Sequence, residues 1–225
     1  CMRKEVPTLL VVTLGTGFLL LDGTLSRLDG SLMLGALILL LVQMIRSQTS
    51  DPVLLEEAET EPLPHLKPLR AWLTFAFGLL LLIASYRILV YGAVMAAKEL
   101  GVSELVIGLT IVAIGTSLPE LAATLASARR GHTEIALGNI IGSNLFNLLA
   151  VMSIPGILQP QALEPQVVTR DYSVMTVLTL LLAGAINFSR YRTASREGHS
   201  YVGRTVGWLF VSIYALYYYL LHQTL

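Results

Sequence analysis

Apolar residues in this chain come in long blocks rather than at the spacing of a half-buried core helix, and seven blocks can be read along it. They predict helices at Val6–Leu21, Leu28–Ile45, Ala71–Ala97, Leu105–Ala128, Ile135–Leu158, Ser173–Phe188 and Gly203–Leu221. Each is near or above the roughly 17 residues a helix needs to cross a hydrocarbon core. The expected fold class is therefore an all-α membrane protein, a polytopic helical bundle of about seven transmembrane helices. Polar residues interrupt two blocks: Gly115-Thr116-Ser117-Leu118-Pro119-Glu120 in the fourth, and Gly138-Asn139-Ile140-Ile141-Gly142-Ser143-Asn144-Leu145-Phe146-Asn147 in the fifth.

Composition agrees with the pattern, since 54% of the 225 residues are hydrophobic and only 13% are charged. The formal net charge is zero, which gives no footing to a nucleic-acid partner. Cys1 is the sole cysteine, excluding an internal disulfide or a cysteine-based metal site. Arg3-Lys4 before Val6–Leu21 has the look of a signal peptide, but Leu21-Asp22-Gly23-Thr24 offers no small-residue cleavage site, so this block reads as a retained span.

Basic residues set the expected orientation. One side of a seven-span chain collects Arg3, Lys4, Arg46, Lys67, Arg70, Arg129, Arg130, Arg190, Arg192, Arg196 and Arg204; the other has Arg27, Lys98 and Arg170. The first side is expected to be cytoplasmic, which leaves Leu225 outside. The 46–69 loop is then cytoplasmic as well, and its Asp51, Glu56, Glu57, Glu59 and Glu61 among four prolines read as a solvated acidic linker.

An internal repeat points to architecture. Lys4-Glu5-Val6-Pro7-Thr8-Leu9-Leu10-Val11-Val12-Thr13 can be laid over Arg170-Asp171-Tyr172-Ser173-Val174-Met175-Thr176-Val177-Leu178-Thr179. The copies open the first and sixth helices, five apart, so they run in opposite senses, the pattern of an inverted-topology repeat. Residues 1–45 are then expected to be the last two helices of a first repeat, 46–69 a linker, and 70–225 a complete second repeat of five. Three further helices are expected upstream, and a chain that starts at Cys1 rather than an initiator methionine points the same way.

The two polar stretches carry the candidate chemistry. A carboxylate at bilayer depth costs several kcal/mol and marks a functional site by default. Pro119 has no N–H to donate to Gly115, which leaves a carbonyl free beside the hydroxyls of Thr116 and Ser117. Ala113, Thr116, Ser117 and Glu120 fall on one helical stripe, and Ser143 and Asn147, four apart, share a face. Oxygen clusters of this kind bind hard cations. Gly138 and Gly142 form a small-xxx-small pair expected to admit a neighbouring backbone, whereas Asn139 and Asn144 point to other faces and serve capping or ligation equally well. No nucleophile and base occur together at bilayer depth, so an enzyme is not expected. His132 and Glu134 lack zinc-site partners, and Tyr214, Tyr217, Tyr218 and Tyr219 read as an interfacial belt.

GTSLPE followed by ARRGHTEIALGNIIGSNLFN resembles the second alpha-repeat of the calcium/cation antiporter superfamily, the sodium/calcium exchangers, and among them the bacterial inner-membrane members. RDYSVM and the LDGTLSRLDG turn extend the likeness over essentially the whole chain, with the alpha-repeat at about Ser103–Pro155. The resemblance implies a ten-helix inverted-repeat fold, calcium and sodium as transported ions with no cofactor, and a multi-pass protein of the inner membrane. It also implies cation ligands at the Ala113 carbonyl, Thr116, Ser117, Glu120, Ser143 and Asn147. Some exchangers carry aspartate at the Asn147 position, so the ion stoichiometry and any proton coupling do not carry over.

Calcium takes about 6–8 oxygens. This chain offers one carboxylate, so a second is expected from the first repeat, which makes that repeat, the lipid bilayer and the two ions the expected partners. Two rival readings are a divalent-cation/proton exchanger, separated by whether flux follows a sodium or a pH gradient, and a non-transporting membrane scaffold, separated by the absence of ion-dependent stabilisation.

Overall fold

The apolar blocks are helical, as a backbone that must satisfy its own hydrogen bonds in hydrocarbon requires. The computed structural model describes residues 2–48, 68–101, 107–193 and 203–224. In order these form α1 (Met2–Leu19), β1 (Thr24–Leu25), α2 (Arg27–Gln48), α3 (Pro68–Glu99), α4 (Ala113–Thr116), α5 (Leu118–Arg129), α6 (Thr133–Phe146), α7 (Ser153–Leu158), β2 (Gln161–Ala162), α8 (Ser173–Thr193) and α9 (Arg204–Thr224). Wider π-helical turns at Gly108–Val112, Asn147–Val151 and Val167–Tyr172 lead into α4, α7 and α8. The acidic linker at 49–67, the start of the fourth block at 102–106 and the basic loop at 194–202 lie outside the described residues.

Glu5–Asp22, Arg27–Arg46, Pro68–Glu99, Thr133–Leu158 and Val167–Ser189 are long and apolar enough to span a bilayer. A sixth span is formed if Thr110–Thr116 and Leu118–Arg129, bent by 43° at their junction, are taken as one. The seventh expected helix is α9, 21 residues long, whose tyrosines dilute its apolar character. Three expected helices differ in detail. The fourth is not continuous over Leu105–Ala128 but breaks at Ser117, the fifth is interrupted by the turn at Asn147–Val151, and the sixth starts its helical run at Val167. All three departures fall where polar residues or proline enter an apolar run.

The chain divides into two units, Cys1–Leu41 with Ile141–Leu225, and Val42–Ile140. In the first, Leu20, Leu25, Met33 and Leu149 form a buried cluster, with Val12, Leu37, Met152 and Tyr172 packed around it. β1 pairs antiparallel with β2, Thr24 opposite Ala162 and Leu25 opposite Gln161. That pairing brings the approach to α8 beside the end of α1. There the Tyr172 hydroxyl donates to the Thr13 carbonyl at 2.6 Å, and a Cβ on Gly17 would stand 2.8 Å from the Tyr172 ring. α1 and α8 thus lie against each other, with Thr13, Leu20, Thr179 and Ile186 among their buried residues.

The turn between α1 and α2 is fixed by its own polar side chains. Asp22 accepts from the Thr24 N–H at 2.9 Å and from its hydroxyl at 3.0 Å. Ser26 and Asp29 form a reciprocal capping box at the start of α2: Asp29 accepts from the Ser26 N–H at 2.9 Å, and Ser26 Oγ accepts from the Asp29 N–H at 3.2 Å. Asp29 is buried, and its Oδ2 accepts a second bond, from the Ser26 hydroxyl at 2.6 Å. At the approach to α8, Arg170 donates to Asp171 at 2.6 Å. The same carboxylate accepts from the Tyr217 hydroxyl at 3.1 Å, which fastens α9.

In the second unit, a Cβ on Gly115 would overlap the Val90 side chain of α3. This glycine lets the broken helix lie directly against its neighbour. The expected close approach at Gly138 and Gly142 is not found, because among the described residues nothing comes within 4 Å of a Cβ at either. The tight helix crossing lies elsewhere, at Gly30 and Gly156, where a Cβ on Gly30 would stand 2.7 Å from the Ser153 carbonyl and 2.9 Å from the Ile157 nitrogen. Backbone atoms cannot yield as a flexible side chain does. Gly30→Ala should therefore lower stability by about 1–3 kcal/mol, while Gly35→Ala, on the same helix with nothing within 4 Å, should leave it unchanged or slightly raised. Thermal unfolding in detergent checks this, and equal midpoints for the two variants would remove the crossing from the account of stability.

Candidate cation site

The fourth block breaks because two of its residues pull the backbone out of the helix in succession. Ser117 sits at φ −89°, ψ −4°, the sparsely populated region where turns end. Pro119 then falls in the first turn of α5, where an absent N–H leaves nothing unsatisfied. Glu120 follows in that same turn, at the end of α5 whose macrodipole interacts favourably with negative charge. A residue expected in the middle of a continuous helix is instead a first-turn acidic residue beside a break.

Beside the Gly115 carbonyl expected to be free, the Ser117 N–H turns back and bonds the Ile114 carbonyl at 3.1 Å. The Ala113 carbonyl is also engaged: it accepts from the Thr116 hydroxyl at 2.9 Å and from the Ser117 hydroxyl at 3.3 Å. Each hydroxyl has spent its one proton on Ala113 and keeps lone pairs pointing elsewhere. The turn thus converts two ambivalent hydroxyls into oriented acceptors, the state a hard cation needs. Thr116, Ser117 and Glu120 are exposed in this structure, and Ala113, Thr116 and Ser117 are drawn into one turn, with Glu120 on the next.

Ser143 and Asn147 belong to the other unit. Ser143 is half-buried in the last turn of α6, and Asn147 opens the π-helical turn, its carbonyl accepting from the Met152 N–H five residues on, at 3.2 Å. Single π turns inside helices recur at functional positions. Here one begins at a predicted ligand, and another ends at Val112, immediately before Ala113.

The sequence reading did not anticipate Thr124. Its hydroxyl accepts from the Asn139 side-chain amide at 2.8 Å, and the same amide donates to the main-chain carbonyl of Glu120 at 3.1 Å. Of the two roles left open for Asn139, this geometry is the structural one, a tie from α6 to α5.

Residues 70–222 match the family model described as "Sodium/calcium exchanger protein". The chain is 42% identical over 199 residues to the putative antiporter CaxA of Alkalimonas amylolytica, covering 87% of this chain and 62% of that protein. It is 37% identical over 188 residues to the inner membrane protein YrbG of Escherichia coli K12, covering 81% of this chain and 58% of that protein. Among solved structures it is similar to the sodium-calcium exchanger NCX_Mj, with a TM-score of 0.71 and 26% identity, covering 96% of this chain and 64% of that one. The chain therefore spans about three-fifths of the length of these relatives. With the family model covering more than half of its length and a helical exchanger as its structural neighbour, this chain belongs to the sodium/calcium exchanger family.

Proposed function

We propose that the chain takes part in secondary active antiport of calcium against sodium across the inner membrane, with no cofactor, and that Glu120, Thr116, Ser117, Ala113, Ser143 and Asn147 are cation ligands. The observation that carries this reading is the turn before Glu120. There, two hydroxyls are locked as acceptors by the Ala113 carbonyl within hydrogen-bond range, one turn from a carboxylate in an otherwise apolar span. In that state Thr116 and Ser117 offer oxygen without presenting a proton to the ion. Ala113 then enters the coordination by exchanging one hydroxyl for the ion, or acts through those hydroxyls.

Calcium needs about 6–8 oxygens at roughly 2.3–2.6 Å, and the proposed residues supply hydroxyl, amide, carbonyl and one carboxylate oxygen. Sodium competes for the same oxygens, so occupancy by one ion excludes the other and couples the fluxes without a separate device. One carboxylate balances half the charge of calcium. On this reading the second comes from a segment equivalent to the part of the relatives that this chain does not span, and transport requires both.

Glu120→Gln preserves shape and removes the charge. Sodium-dependent calcium uptake by vesicles holding the full-length protein should fall roughly 100-fold or more, the scale of removing one partner from a desolvated charge pair, with expression intact. Asn147→Ala deletes one neutral ligand and should reduce uptake only about tenfold. Normal uptake by Glu120→Gln would refute the ligand assignment.

The basic residues propose the orientation, with the Arg129–His132 turn cytoplasmic and the Lys98–Gly101 turn outside. In a Cys1→Ser background, a membrane-impermeant thiol reagent added to intact cells should label Glu99→Cys and spare Thr133→Cys until the cells are opened. The reverse pattern would invert the topology, and labelling of both from outside would break the span count between them.

A further inference from the structure

The tie between α6 and α5 rests on a side-chain amide nitrogen that can donate twice. Asn139 Nδ2 carries two hydrogens, and the structure gives it two acceptors, the Glu120 carbonyl at 3.1 Å and the Thr124 hydroxyl at 2.8 Å. A carbonyl accepts and never donates, so the amide end of Asn139 must face α5. Glu120 and Thr124 are four residues apart and share a helical face, which makes the contact a clamp across a full turn.

The hairpin that closes the two helices sets this register. Gly131 takes φ +86°, and the His132 N–H returns to the Ser127 carbonyl at 3.0 Å. The arms therefore leave the turn in fixed phase, with Thr124 seven residues before Gly131 and Asn139 eight after it.

The turn being clamped is the one the break leaves least secured. Glu120 stands in the first turn of α5, just beyond the 43° bend, and helix ends are where backbone groups lack intrahelical partners. A ligand must be held to within about 0.5 Å of its productive position. A first turn free to unwind at Ser117 would carry the carboxylate well beyond that.

We propose that Asn139 is a positioning residue for the Glu120 carboxylate, fixing the first turn of α5 through the Glu120 carbonyl and Thr124. This rests on the reading of Glu120 as a cation ligand. Asn139 acts through the backbone of Glu120 and does not itself touch the ion.

The test measures sodium-dependent calcium uptake by full-length protein in vesicles, separating the half-saturating calcium concentration from maximal rate. Asn139→Leu, similar in shape and unable to donate, should raise half-saturation about tenfold, the effect of two lost hydrogen bonds. Thr124→Val, which removes one acceptor and leaves the Glu120 bond, should raise it about threefold. The double variant should be no worse than Asn139→Leu, because both changes break one clamp. Unchanged half-saturation in either single variant, or a fall confined to maximal rate, overturns the proposal, as does full additivity in the double variant. Should Asn139→Leu fail to fold in detergent, Thr124→Val decides alone. Glu120→Gln separates the two levels: loss of uptake there with normal half-saturation in Thr124→Val sinks the clamp only, whereas normal uptake by Glu120→Gln sinks the ligand reading and the clamp with it.

Discussion

A helix that breaks inside hydrocarbon must find partners for every peptide group the break exposes, because no water is there to take them. The second unit meets this constraint at Ser117 with the residues that supply the proposed chemistry. Thr116 and Ser117 turn their protons into the Ala113 carbonyl, the Ser117 N–H folds back onto the preceding turn, and Pro119 removes one donor that would otherwise be orphaned. The same bonds that make the break tolerable leave hydroxyl lone pairs outward beside Glu120. Satisfying the backbone and building an acceptor cluster are one event, so substitutions at Thr116 or Ser117 act on fold and site together.

The first unit answers a different demand, that of packing helices whose sides are all apolar. Lipid competes for such surfaces as well as protein does, so the contacts that hold are those with close backbone approach or a polar tie. Gly30 and Gly156 provide the first, Tyr172 on the Thr13 carbonyl and Tyr217 on Asp171 the second. Thr13 and Thr179 are both buried, as are Leu20 and Ile186, and the α1 and α8 segments that carry them pack in this unit. At the approach to α8, Arg170 and Asp171 form a bonded pair, and the Asp171 carboxylate fastens α9.

Helix existence was legible because block length and lack of charge report directly on the solvent around a span, and the seven positions needed no packing information. The break was less legible. Pro119 announced a disturbance, but whether the backbone bends, loosens into a π turn or presents a bare carbonyl depends on where Ser117 sends its N–H, which is a matter of φ and ψ rather than residue type. Glu120 was conspicuous as a carboxylate in an apolar run, whereas Thr124 was silent, since a threonine in a membrane helix ordinarily bonds its own preceding turn. Gly138 and Gly142 misled for the converse reason: small residues permit a close approach without compelling one, and Gly30, with no spaced partner on its own helix, makes the contact instead.

Charge decides how far the neutral oxygens of the proposed site matter. Hydroxyl and carbonyl oxygens can solvate sodium and calcium alike, so they set cavity geometry and not valence. At an effective dielectric near 20, one unit charge 4 Å from another contributes about 4 kcal/mol, more than any single neutral ligand. With Glu120 alone, a sodium ion is balanced and a calcium ion retains a full positive charge in a low-dielectric span; with a second carboxylate the preference is reversed, and one sodium leaves the site negative. In the proposed ligand set Asn147 adds no charge to that balance, because its amide is neutral and does not titrate.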